Sequence, residues 1–275
     1  MDDLIVPDAI ESGTPVMHEP TGNPVARLAS YIVDELGVFF IFSVGLHVMV
    51  IDDVEPRAAA ILVAVCAVAA WVATVVRVDL AANSYPRLCD APSSPARRLV
   101  AVLAANALLH LAVIAVYALV VQRGLAVRPQ TYAWTLFETG ACFIVYEAVF
   151  YALHRLLHAK LGPYHALHHE THANLGVTNF YMHPVDYALE VIVPLWTAIS
   201  FVNPSLSVTL AVIVIGTINS VVSHSGVKVP GLPDPRDHWL HHHLATCNYG
   251  TGPLDYLYNT HRASSNVAFT CRQRV

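Results

Sequence analysis

The run Ala58–Val76, AAAILVAVCAVAAWVATVV, held between Arg57 and Arg77, contains no charged residue. The hydrocarbon core of a bilayer takes a helix of ~20 apolar residues, so this stretch has the length and composition of a membrane span. Further along, Leu99–Val121 is a second such run, interrupted only by Asn106 and His110 and flanked by Arg98 and Arg123. Three more apolar regions are less clean. Tyr31–Val50 contains Asp34 and Glu35, Leu136–Leu153 contains Glu138 and Glu147, and Ala188–Val222 is broken near Asn203 and Pro204. Each half of that last region is short, which predicts a helical hairpin entering and leaving on one side. The expected fold is all-α, an integral membrane helical bundle of about four spans plus that hairpin.

Composition agrees. Of 275 residues, 55% are hydrophobic and 13% charged, too apolar for an ordinary soluble domain. The net charge of −5 comes from scattered acids, and no basic stripe with interleaved aromatics offers a surface to nucleic acid. Five cysteines without a CxxC pair read as small apolar side chains rather than a disulfide framework. Residues 1–26 carry Pro7, Pro15, Pro20 and Pro24 and read as a polar, disordered tail; the opening Met-Asp-Asp lacks the basic region of a secretory signal. Residues 27–275 are expected to form one membrane-embedded domain.

Lys and Arg favour the cytoplasmic side of a membrane. The loop Arg77–Arg98 carries Arg77, Arg87, Arg97 and Arg98, whereas Ile51–Arg57 carries Asp52, Asp53 and Glu55. Placing the four-arginine loop inside puts the chain from His154 onward in the cytoplasm, although Arg123 and Arg128 then lie outside. The alanine, valine and arginine bias points to a bacterial cytoplasmic membrane rather than the endoplasmic reticulum.

Twelve of the sixteen histidines fall between His154 and His243. His154 and His158 are four apart and share a helical face. His165, His168 and His169 are spaced 0, 3 and 4, as are His238, His241 and His242. Gly162-Pro163 and Asp234-Pro235 precede the two trios, so each trio is expected to open a short helix. Glu147, Tyr151, His154 and His158 line one stripe running from the bilayer into the site. Neutral imidazoles are metal ligands, and so many suggest two metals of the iron, zinc or copper type. A zinc-protease HExxH motif starting at His169 fails, because its second histidine would fall at Ala173. A metal transporter would place ligands near the bilayer midplane in two matching halves, whereas these gather in one half, mostly outside the spans.

This ordered set resembles the fatty acid hydroxylase and sterol desaturase superfamily over roughly Phe143 to Thr260. The likeness rests on His154-Arg155-Leu156-Leu157-His158, His165-Ala166-Leu167-His168-His169 and His238-Trp239-Leu240-His241-His242. It extends to Tyr181-Met182-His183-Pro184-Val185-Asp186, to His224-Ser225-Gly226, and to Asn248-Tyr249-Gly250 with Asp255. The resemblance implies two irons, O2 as co-substrate, and electrons from a separate ferredoxin- or cytochrome-type protein with its reductase. It assigns ligand roles to His154, His158, His165, His168, His169, His224, His238, His241 and His242, with His183 as a ligand or a group beside one. His172 and His243 lie outside the motifs. Two positions depart from the family: Ser220 stands where some members carry a histidine, and Glu147 where many carry an aspartate.

The expected reaction is hydroxylation of a C–H bond in a lipid or other hydrophobic substrate, with desaturation as the alternative on the same scaffold. Glu147 and Tyr151 are the candidate catalytic residues beside the metals. Glu147, Asp186, Asp237 and Asp255 are expected to orient imidazoles by accepting their free N–H, with Asp237 also placed to cap its helix.

Overall fold

The computed structural model describes residues 56–80, 96–120, 131–171, 173–229 and 234–262. The expected N-terminal tail, the apolar run 31–50 and most of both loops used to orient the chain lie outside these residues, as does His172. Among the described residues the protein is all-helical, with no strand, and five helices are long and apolar enough to cross a membrane.

Helix α1 (Pro56–Val75) runs on through a π-turn, Val76–Leu80. Helix α2 (Ala96–Val120) follows, then α3 (Tyr132–Lys160), whose N-cap Thr131 accepts from the Trp134 N–H. Leu161 ends α3, and Pro163 opens α4 (Gly162–His169). Both prolines preceding histidine trios thus sit in a first helical turn, the second one in α7 (Pro235–Leu244). Its N-cap is Asp234, which accepts from the Arg236 N–H; Asp237, expected there, lies within the first turn.

The broken apolar region forms a hairpin of α5 (Pro184–Val202) and α6 (Leu206–Ser225). Both arms are long enough to span, so the expectation of two short halves is corrected. Asn203, left-handed at φ 50, ends α5, and Ser205 caps α6. Within α5 the turn Ala188–Ile192 is π-helical, just before Pro194. Pro194 has no N–H to give back along the helix, and the looser turn absorbs that loss. It also sets Asp186 and Glu190 on one buried face.

Helix α6 packs along α1 and α5 along α3, with α2 as a side wall. The bundle has polar ties at both ends. Glu138, buried in α3, accepts from Trp134 Nε1 and from the Ser205 N–H at the hairpin tip, each at 2.9 Å. At the other end Asp79 accepts from the Gly176 and Val177 N–H groups, each at 2.8 Å, beside the histidine loops. The histidines therefore gather at the end of the bundle where α1 runs into residues 81–95. Between α1, α2, α3, α5 and α6 lies a largely apolar cavity of about 480 Å3.

Candidate metal centre

Nine imidazoles converge in two adjoining groups. His154, His158, His165, His169 and His241 form one, and His168, His224, His238 and His242 the other; within each group the donor nitrogens lie within 4.8 Å of one another. The helical spacing explains the division. In each trio the residues at offsets 0 and 4 face one group and the residue at offset 3 faces the other. His165 and His169 thus join the first group and His168 the second, while His238 and His242 join the second and His241 the first. The two short helices exchange ligands across the pair, and the rings of His169 and His242 stack at 4.5 Å where the groups meet.

What faces away from the centre fixes five of the nine rings. His154 Nδ1 donates to the Tyr249 carbonyl at 2.6 Å, His241 Nδ1 to the Cys247 carbonyl at 2.7 Å, and His242 Nδ1 to the Thr171 carbonyl at 2.8 Å. His224 Nδ1 donates to the Ser220 carbonyl at 2.8 Å, and His165 Nδ1 to both oxygens of Asp186, at 2.9 and 3.0 Å. A carbonyl only accepts, so these Nδ1 atoms carry the protons and their Nε2 atoms carry bare lone pairs. Yet Nε2 of His154 lies 3.2 Å from Nε2 of His165, with no proton between them. In the second group Nε2 of His238 sits 2.9 Å from that of His224 and 3.1 Å from that of His242.

Protonation does not relieve this crowding at neutral pH. Burial pushes His165 down to about 2 and His169 to about 4, and holds His168, His238, His241 and His242 well below the usual imidazole range; neighbouring imidazoles push most of them lower still. Buried, converging lone pairs, five of them on rings whose outer N–H is already bonded, are the donor set of a cation site. These residues fit a bound metal in each group.

A second layer holds the carbonyls that orient the rings. Glu147 Oε2 accepts from the N–H and Oγ1 of Thr251, at 2.9 and 2.8 Å, and Oε1 from the Leu254 N–H at 3.1 Å. Asp255 accepts from the Tyr249 and Gly250 N–H groups and from Thr260 Oγ1. Gly250 fits between them: a Cβ there would lie 2.6 Å from Glu147 Oε1. Of the four acids expected to accept from imidazoles, Asp186 does so, while Glu147 and Asp255 act one step out, through the 247–255 loop. Tyr151 also stands back, its hydroxyl paired with Thr260 Oγ1 and its ring stacked on Tyr258. The hydrogen bonds of both candidate catalytic residues thus go to Thr251, Leu254 and Thr260, and for Tyr151 also to Arg155, rather than to the metal groups.

His183 belongs to neither group. It is the N-cap of α5, its Nδ1 accepting from the Val185 N–H at 3.2 Å, and its ring lies against Tyr164. His243 stacks on Trp239 at 3.6 Å, on the other side of α7. With Ser220 in place of a histidine, the second group has four donors to the first group's five. Glu190 and the polar residues of the cavity wall drew no functional reading from the sequence; Asn106 and His110 were visible there only as interruptions of an apolar run.

Residues 139–260 match the family model described as fatty acid hydroxylase. The "fatty acid hydroxylase domain-containing protein 2" of Homo sapiens is 33% identical over 133 residues, 47% of this chain and 40% of that protein. The protein of the same name from Macaca fascicularis is 32% identical over the same lengths. The match therefore spans about two-fifths of these relatives, and, as primate proteins, they lend no support to a bacterial source. No solved structure matches. Over residues 139–260, which hold both histidine groups and the loop that orients them, the chain is similar to the fatty acid hydroxylase family, as its histidine motifs are to the wider superfamily.

Proposed function

We propose that the protein is an O2-dependent di-iron hydroxylase acting on a C–H bond of a hydrophobic, lipid-like substrate. The observation that carries this reading is the pair of adjoining all-imidazole donor groups at the mouth of a membrane bundle. Zinc in structural sites is held by four ligands, and a group of five imidazoles beside one of four exceeds what that geometry needs. The family match and the relatives' printed name support the same reaction class.

Iron bound there would supply O2 activation and the one-electron chemistry that an unactivated C–H bond requires. The chain's own residues fix the geometry. Asp186 and the carbonyls of Thr171, Ser220, Cys247 and Tyr249 hold five imidazoles in the tautomer that presents Nε2 inward. The apolar cavity brings a substrate beside the centre: Ser220, whose carbonyl orients His224, also lines its wall. Its walls keep water away from the reacting carbon. Hydroxylation is preferred over desaturation because it asks for one positioned C–H bond rather than two. Electrons are to come from a separate ferredoxin- or cytochrome-type donor, and the site is proposed to face the cytoplasm.

The test is metal content per chain with iron spectroscopy, on the detergent-purified protein and on the double variant His168→Ala/His241→Ala, which removes one donor from each group. About two irons in the native protein and loss of metal in the variant are expected. Stable zinc alone, with no iron taken up on reconstitution, overturns the redox reading.

A further inference from the structure

We infer that the cavity between the spans is a binding site for a neutral, largely hydrocarbon alcohol, whose hydroxyl is received by Asn106 and His110 in its wall. As the substrate class of the proposed reaction this rests on the oxygenase reading; as a binding site it stands by itself.

The cavity has about 480 Å3, within the range of small-molecule sites, and among the described residues no Lys, Arg, Asp or Glu lines it. Among its polar lining residues, Asn106 and His110 lie on α2. Asn106 is 1% exposed, and its Nδ2 donates to the carbonyls of Phe180 and Met182, each at 3.0 Å. Because both partners are carbonyls, the amide can be oriented only one way, and Oδ1 is left as an acceptor. Oδ1 has no hydrogen-bond partner among the described residues, an unmade bond that buried amides rarely leave. His110 lies one turn further along the same face of α2. Its Nδ1 pairs with the Tyr187 hydroxyl at 2.7 Å, and its Nε2 has no hydrogen bond among the described residues.

The two unused atoms are complementary. When the Tyr187 hydroxyl donates to Nδ1, Nε2 of the neutral ring carries the proton and is a donor. A ligand hydroxyl then donates to Asn106 Oδ1 and accepts from His110 Nε2, satisfying both. A hydrocarbon satisfies neither. A carboxylate offers no proton to Oδ1 and brings its charge into a wall where the described residues supply no Lys or Arg. These polar groups sit on a span that is otherwise apolar, where the bilayer makes polar side chains expensive unless something uses them.

The test is equilibrium binding to the purified protein in detergent, without turnover. The probes are cholestanol and hexadecan-1-ol, each against its own hydrocarbon, cholestane and hexadecane, with palmitate as the anionic counterpart. At least one alcohol is expected to bind about tenfold more tightly than its hydrocarbon, the size of one buried hydrogen bond. His110→Leu is expected to abolish that advantage while hydrocarbon binding and metal content stay as in the native protein. If His110→Leu does not fold, Tyr187→Phe, which frees the Nδ1 partner and with it the tautomer, is expected to weaken the preference instead. Equal binding of alcohol and hydrocarbon, tightest binding of palmitate, or an alcohol preference untouched in the variant overturns the inference. An alcohol preference in a protein that takes up no iron keeps this site and removes the oxygenase reading, whereas an iron-loaded protein without the preference does the reverse.

Discussion

Asp186 holds His165 with a two-oxygen contact, and carboxylates behind ligating histidines set both tautomer and basicity. Asp186→Asn is expected to weaken metal binding ~10–100-fold in a chelator competition while the chain stays folded; unchanged affinity would mean the Asp186 contact does not tune the ligand. Acid should act on the same rings. In an unfolded chain a histidine titrates near 6.5. Burial holds His169 at about 4 and His165 at about 2 in the folded protein. Below about pH 6.5 the unfolded state therefore binds more protons than the folded one, and stability falls with pH, by up to ~1.4 kcal/mol per pH unit for each such histidine until the folded value is reached. Thermal unfolding of the metal-free protein, followed from about pH 7.5 to about pH 5, should show a falling Tm; a flat profile would mean these rings are not buried neutral. Bound metal should be lost over the same window, since ligands must be deprotonated. At this scale the sequence was informative, because spacings of 3 and 4 on a helix put side chains on one face whatever surrounds them. It did not reveal that offset 3 serves the other group, which depends on how α4 and α7 meet. His183 was a candidate through the resemblance alone, not through spacing; its capping bond depends on Pro184 starting a helix there.

Two buried carboxylates on one helix do different work, and the difference belongs to the elements they join. Glu138 ties α3 to the tip of the α5–α6 hairpin, while Glu147 ties it to the 247–255 loop, whose carbonyls orient His154 and His241. Glu147→Ala leaves the Thr251 and Leu254 donors unmet and is expected to cost about 3 kcal/mol and to release metal. Gly250→Ala should do the same from the other side, since the added methyl meets the Glu147 carboxylate. Glu138→Ala is expected to cost about 2 kcal/mol and lower Tm, with metal content unchanged. Parallel measurement of Tm and metal content separates the cases: metal loss in the Glu138 variant would mean that the far end of the bundle also sets the site. From sequence alone both acids were interruptions of one apolar run. Their roles are set by contacts across 67 and 104 residues of chain, which no local pattern carries.

For the whole molecule, the contact of Asp79 with Gly176 and Val177 places the histidine end of the bundle where α1 leaves toward the arginine-bearing loop. The proposed orientation takes the arginine-bearing loop as cytoplasmic by the positive-inside tendency, and the histidine end of the bundle with it. Helix α3 offers a direct test, because its 29 residues extend ~43 Å and exceed a hydrocarbon core of ~30 Å, so its two ends emerge on opposite faces. Tyr132 and Lys160 are exposed at those ends. With the native cysteines replaced, Tyr132→Cys should react with a membrane-impermeant thiol reagent on intact cells, and Lys160→Cys only after the membrane is opened. The reverse pattern would keep the bundle and turn it over, moving the site and its electron donor to the other compartment. Labelling of both positions from one side would mean that α3 does not span, and that the cavity beside it opens to water rather than to lipid.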